Sequence, residues 1–315
     1  MLKSKYPMIS IGEFDKLFDK LKNWGKWGSS DDKGTLNYIT PDKIAKAAAL
    51  VKSGRTVSMA IPINKHPDPD NESPAIHYMT NLHAIDSGTK NLGWATDFLG
   101  MAFHGDCHTH MDALCHIGYK RLLYNGIPES KVDVTGANCL DITAFASGIV
   151  GRGVMIDAAR YRGVKWLEPG EAVTAEEIEA IEKSENVRLG EGDIMVFRTG
   201  QYRRRTELGA YDVGYTGQGR AGLDPYSLEL LHERKVAAFL PEGDGEVVPS
   251  NVEEMEYPIH PLQIAAMGMV CADSLQLDEL AAVCEEEKRF EFMVAVGPLR
   301  LPKGTGCPFN PIAIF

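Results

Sequence analysis

The sequence predicts one α/β domain. Three observations carry this: short apolar strand patterns alternate with capped helical patterns along the chain, no Pro-, Gly- or Ser-rich linker interrupts them, and 315 residues, 44% hydrophobic, suffice for a sizeable core.

The elements follow from local chemistry. Ile11, Phe14, Leu17, Phe18 and Leu21 recur at helical spacing behind Ser10, which caps a helix over 10–22. The Trp24–Asn37 stretch reads as a loop from its Gly, Ser and Asp content. Thr40-Pro41 opens a second helix that Gly54 closes. Residues 56–63 read as a strand, and 64–91, rich in Pro, Asp, Asn and His, as an irregular arm or lid. A histidine-bearing strand near 102–112 comes next, and Asp141–Ala144 leads into a strand around 148–156. Thr174 and Glu177 form a capping box for a helix through Lys183. Ile194–Phe197 is a buried strand. Asp224-Pro225 caps a helix to Arg234, and Val236–Leu240 is a strand. Residues 261–268 are helical, 269–272 strand-like, and Phe290–Val296 the last strand. The chain thus divides into one domain over 1–315, with residues 1–55 as an N-terminal helical extension.

Composition excludes several functions. The 33 basic and 44 acidic residues give a formal charge of −11, too acidic to neutralise nucleic-acid or anionic-lipid phosphates. No apolar run approaches a spanning helix, and Lys3, Lys5 and Pro7 are not followed by a signal-peptide core. The six scattered cysteines contain no CxxC pair and read as reduced, packed thiols. Together these point to a cytoplasmic protein acting on a small molecule. No GxxxxGK[ST], GxGxxG or GxSxG pattern provides a phosphate cradle or serine nucleophile.

Chemistry concentrates in His104-Gly-Asp-Cys-His108-Thr-His110-Met-Asp112-Ala-Leu-Cys-His116. On a strand His104, Asp106, His108, His110 and Asp112 share one face, and Cys107 points away. Such a row is costly to bury unpaired, and a bound cation relieves the cost. Mixed N and O donors suit zinc, manganese or iron. His116, outside the tight cluster, is placed to carry protons. Downstream, His260 and Gln263 lie one turn apart at a helix start and can face one site. Asp273 sits in an apolar segment where a lone carboxylate needs a partner. The Glu242-Gly-Asp244-Gly-Glu246 turn is acidic enough to bind a cation too, but reads first as an ordinary solvated turn. Arg203, Arg204, Arg205 and Trp94 are pocket candidates of weaker signal.

The motif from His108 to His116 resembles the HxGTHxDAPxH signature of the cyclase-like metal hydrolases, which include kynurenine formamidase, isatin hydrolase and trans-dienelactone hydrolase. Further blocks are similar to longer members: Trp27 to Pro41, Gly192 to Gly200, and Pro258 to Gly268. The resemblance implies a swivelling β/β/α-type domain with a mixed, partly barrel-like sheet and flanking helices, and homo-oligomers (dimers or tetramers) of intertwined protomers. It also implies hydrolysis of an amide or ester bond with Mn2+ or Zn2+. Carried over, His110 and Asp112 match metal ligands, His116 the catalytic histidine, His260 the downstream active-site histidine and Gln263 a glutamine ligand; Asp273 lies near where formamidases place a glutamate. The chain departs from the signature at Asp106, which stands where the first ligand histidine is expected, so His104, His108 and Asp106 compete for that place. Both histidines are favoured as ligands. Leu114 replaces the motif proline, pointing to the longer lactone- or amide-hydrolase branch.

The expected function is hydrolysis, by metal-activated water, of a small cyclic amide, a lactone or an arylformamide. His116 acts as general base and then acid, with His260 assisting. A metal-assisted lyase or cyclase, or a non-catalytic binding member of the same fold, are the alternatives.

Overall fold

The most continuously apolar runs of the chain form the centre of one sheet. The computed structural model describes residues 3–83, 92–214 and 216–315. In chain order, α1 (Ile11–Leu21) and α2 (Pro41–Ala48) precede β1 (Thr56–Ser58). A hairpin of β2 (Ile76–Asn81) and β3 (Thr96–Gly100) leads to β4 (His110–Asp112). The short pair β5 (Val132–Asp133) and β6 (Gly136–Ala137) comes before the long β7 (Ile149–Asp157) and α3 (Ala158–Tyr161). Next are β8 (Ala172–Val173), α4 (Ala175–Glu185), β9 (Ile194–Arg198), α5 (Gln201–Leu208), β10 (Gly222–Leu223) and α6 (Ser227–Glu233). The chain finishes with β11 (Ala238–Pro241), a π-helix (Pro261–Ala266), β12 (Val270–Asp273), α7 (Asp278–Glu287), β13 (Glu291–Val296), β14 (Gly306–Pro308) and β15 (Ile312–Ile314).

Nine strands form a mixed sheet that curls into a half-barrel, in the order β1-β15-β13-β7-β9-β11-β12-β4-β14. The β7, β9, β11 and β12 neighbours are parallel, and antiparallel strands extend the sheet on both sides. Helices cover a parallel sheet on its faces, which is why all five residues of β9 are buried. Alternate residues separate into two cores: Ile194 and Val196 pack on one face, Met195 and Phe197 on the other. Phe14, Leu17, Phe18 and Leu21 of α1 join the second core beside Leu262 and Ala265 of the π-helix. The N-terminal helices thereby buttress the segment that carries His260.

Three helix starts follow the capping chemistry. Ser10 and Glu13 form a reciprocal capping box, and the Thr40 and Thr174 side chains each accept from the backbone N–H three residues on. The Glu177 carboxylate instead pairs with Arg162, which leaves the expected Thr174–Glu177 box half formed. α6 starts at Ser227 with no side-chain cap, and Asp224 accepts from Tyr226 N. Several boundaries differ from expectation. The second helix ends at Ala48, not at Gly54, because the chain tightens into three-residue turns over residues 49–51. The arm expected to be irregular over 64–91 contains β2, paired with β3; its residues 84–91 lie outside the described residues. The histidine strand is also much shorter than expected: only His110–Asp112 pair in the sheet, and the chain bends from residue 104 to 108. The arginine-rich α5 gave little apolar periodicity to read, since Arg204 is its one buried residue.

One buried carboxyl makes stability depend on pH. The Glu185 side chain on α4 is fully covered, its oxygens have no hydrogen-bond partner, and Arg160 lies 3.7 Å away. Burial, reinforced by the charge of Asp157, pushes its pKa up to about 9. The folded chain therefore holds a proton that the unfolded chain releases near its ordinary value of about 4.3. Stability falls as pH rises between those limits, by up to about 1.4 kcal/mol per pH unit. Glu185→Gln is expected to flatten this slope and to raise stability near pH 8, as read by urea melts at about pH 6 and about pH 8. An unchanged slope would refute the assignment.

Candidate metal centre and active site

β4 sits between β12 and β14, and its register sets the centre. His110 lies opposite Asp273, and Asp112 opposite Cys271 and Gly306. The resulting cluster is buried except on the side of His104 and His116. His104 Nδ1 lies 3.0 Å from Asp112 Oδ1, and His110 Nε2 lies 3.6 Å from both Asp112 Oδ1 and Asp273 Oδ2. His116 Nε2 is 3.9 Å and His260 Nε2 4.0 Å from Asp112 Oδ2. Despite four imidazoles around it, neither oxygen of Asp112 has an aligned hydrogen bond. A buried carboxylate left in that state is expensive, so the position fits a cation.

The orientation of the rings supports this. His110 Nδ1 donates to the His108 carbonyl at 2.9 Å, so its other nitrogen faces the carboxylates. His260 Nδ1 donates to Glu246 Oε1 at 2.8 Å, leaving Nε2 3.3 Å from Asp273 Oδ2. His104 Nε2 is anchored on Thr305 Oγ1 at 3.0 Å, and its ring stacks on His116 with centroids 3.9 Å apart. Two overlapping donor groups result: His104, His110 and Asp112, and Asp112, His260, Cys271 and Asp273.

The electric environment differs among these groups. Burial alone would push Asp112 upward, yet His104 and the other three imidazoles hold it well below the usual carboxylate range. Burial pushes His116 down to about 4, outweighing the charge of Asp112. His116 is therefore a neutral imidazole at pH 7. His260 is raised well above its usual value, because Asp273 and Glu246 overcome its desolvation.

The structure brings together His104, His110, Asp112, His116, His260 and Asp273. It does not bring His108 to the centre. His108 Nε2 donates to the Asn64 carbonyl at 3.1 Å, and only its own carbonyl serves the site, through His110. The reason is the bend before β4, which ends the strand alternation on which the shared face depended. Asp106 is likewise turned aside, paired with Arg220. Gln263 is fully buried beside Cys271, with Nε2 on the Val270 carbonyl at 3.3 Å and Oε1 unpaired. Arg204 stacks on Tyr211 and Arg205 pairs with Asp68 and Asp70, whereas Trp94 is exposed.

The acidic turn was misread as solvated. Glu242, Asp244 and Glu246 are all buried. Glu242 accepts the backbone N–H groups of Thr199, Gly200 and Gln201, Asp244 pairs with Arg220, and Glu246 accepts from Ile259 N, His260 N and His260 Nδ1. Their position directly after the buried β11 was the available signal. Cys271 was also missed; its thiol donates to Asp273 Oδ1 at 3.0 Å.

A cavity of about 560 Å³ opens onto this centre, lined by His104, His110, His116, His260 and Asp273 and also by Asp106, Arg220, Asp244 and Tyr257. With that geometry in view, comparisons with known proteins define the class. A family model described as "Putative cyclase" matches residues 36–243, and a crystal structure described as a novel cyclase is 30% identical, covering 94% of this chain and 100% of that one with a TM-score of 0.83. The chain belongs to the cyclase family. Isatin hydrolase A from Ralstonia solanacearum has the same fold at 22% identity, covering 87% of this chain and 98% of that one, TM-score 0.61. So does a protein from Bacillus stearothermophilus described as a predicted metal-dependent hydrolase, at 14% identity, 82% and 97% coverage and TM-score 0.50. No curated protein matches. The matched family region ends before His260, so the second half of the centre comes from chain beyond it.

Replacing Glu246 by Ala leaves two buried backbone N–H groups and the His260 ring without their acceptor. A loss of about 3 kcal/mol is expected in chemical unfolding. A loss below about 0.5 kcal/mol would show that the turn does not hold His260.

Proposed function

We propose that this protein is a metal-dependent hydrolase that opens a small cyclic amide or lactone or cleaves an arylformamide. The observation that carries the reading is Asp112: both carboxylate oxygens are buried without an aligned hydrogen bond, within 4.0 Å of four imidazoles that themselves line a cavity. His104, His110 and Asp112 would hold a divalent cation, manganese or zinc, with Asp273 and His260 adjoining; Gln263 lies at the base. Such an ion lowers the pKa of a water beside it and polarises a carbonyl oxygen.

The chain's own groups account for the rest. His116 lines the cavity as a neutral imidazole, so its free nitrogen takes a proton from water and returns it to the departing nitrogen or oxygen. The His104 ring stacked against it fixes its orientation. His260 is fixed by Glu246 and directs its Nε2 inward, where it hydrogen-bonds a substrate oxygen. Structural neighbours described as an isatin hydrolase and a predicted metal-dependent hydrolase are consistent with this chemistry.

His116→Ala is expected to lower kcat at least about a hundredfold while metal content, measured by elemental analysis, stays near that of the parent. Asp112→Asn is expected to lose the metal. Loss of metal in the His116 variant would make it a ligand and overturn its role. Uptake of label from isotopic water into product distinguishes hydrolysis from elimination.

We further infer a homo-oligomer. Nearly every residue of the β2–β3 hairpin is exposed, including Ile76, Tyr78, Met79, Phe98 and Leu99, and a two-stranded hairpin bare on both faces is unstable alone. A second copy of the chain is its proposed cover. Tyr78→Asp with Phe98→Asp should reduce the mass seen by light scattering to that of one chain; a monomeric parent would overturn the inference.

A further inference from the structure

The part of the cavity wall formed by Asp106, Arg220 and Asp244 has its own electrostatic design. Among the described residues Arg220 is the only Lys or Arg lining the cavity, and it is 2% exposed. A lone arginine in a pocket ordinarily receives a substrate carboxylate. Here both of its terminal nitrogens are already taken: Asp106 holds Nη1, and Asp244 holds Nη2 at 2.9 Å. Its remaining nitrogen, Nε, is buried without a partner, and the Tyr257 ring covers the guanidinium at 5.6 Å. Two carboxylates share one guanidinium, so this wall has no surplus positive charge to offer a ligand.

Asp106 differs from its neighbours in exposure. Its side chain is 38% exposed, against 12% for Asp244, and it lines the cavity. Arg220 therefore works as a clamp that presents the Asp106 carboxylate to the cavity. At the mouth, Glu254 and Glu256 add two exposed carboxylates. Neither makes an ion pair among the described residues; Lys3 lines an adjoining hollow with both of them without pairing to either. At the histidine cluster, Asp112 and Asp273 would be matched by the cation they could hold, and Glu246 is matched by His260. The uncompensated charge of the site is thus the Asp106 wall and the glutamate rim.

We propose that this cavity selects substrates carrying a protonated amine away from the bond that is cleaved, with Asp106 receiving the ammonium group and Glu254 and Glu256 drawing it in. Substrates with a carboxylate at that end meet like charge and no free guanidinium. The proposal rests on the hydrolase reading for where the scissile bond sits, but the charge preference is a binding property and is measured separately.

The test uses the metal-loaded protein and three matched benzohydroxamates bearing a para aminomethyl, methyl or carboxylate group. Dissociation constants are read by titration calorimetry at low and high salt. The aminomethyl probe should bind at least about tenfold tighter than the carboxylate probe, with the methyl probe between them and the gap narrowing in salt. Asp106→Asn should collapse most of that gap. Glu254→Gln with Glu256→Gln, confined to exposed positions, should reduce it and weaken its salt dependence. Equal binding of the three probes, or tightest binding of the carboxylate, overturns the proposal. Failure of the hydrolase reading would look different: the probes would keep their order while no amide, lactone or formamide is turned over.

Discussion

The architecture depends on keeping one buried carboxylate, Asp112, surrounded by imidazoles and free of ordinary hydrogen bonds. Desolvating an anion is costly, and the four rings that offset the cost come from two stretches of the chain, residues 104–116 and His260. Each ring is restrained from behind by a different group: a threonine hydroxyl, a backbone carbonyl, a neighbouring ring or a buried glutamate. These restraints tie the centre to the sheet register, the bend before β4 and the acidic turn after β11. A change in any of the three would move a donor atom.

The acidic turn shows how function and folding share residues. Glu242 collects three successive N–H groups where β9 passes into α5, Asp244 neutralises Arg220, and Glu246 fixes the entry to the π-helix. Burial pushes both Glu242 and Asp244 up to about 7 despite their arginine partners. Their charge state is therefore sensitive near neutrality. Nearby, the Gly34 backbone lies so close to the Gly268 carbonyl that a Cβ on Gly34 would come within 1.9 Å of it. The N-terminal block can seat against the end of the π-helix only with glycine there, at a φ of +53°.

Much of this was legible in the sequence. Helix starts were readable because capping is local chemistry, and the central strands because a parallel sheet buries both faces of each strand. His104, His110, Asp112, His116 and His260 stood out because the motif is dense and similar to a known signature. The misplacement of His108 came from extending a period-two argument beyond the three residues that pair as strand. The buried acidic turn was missed because Glu-Gly-Asp-Gly-Glu has the composition of a solvated loop; its burial is set by Arg198, Arg220 and His260, all distant in sequence. The β2–β3 hairpin escaped notice for a related reason: with both faces exposed it has no alternation of apolar and polar residues to read.

The placement of β4 also has a temporal consequence. It is held on one side by β12 and on the other by β14, and Thr305, just before β14, anchors His104. Almost two hundred residues of synthesis separate the histidine motif from the strand that completes its setting. During translation the motif leaves the ribosome long before its partners exist, so a growing chain carries the ligands without the site. A cation held there, as proposed, would be captured only late in biogenesis, once the chain is nearly complete.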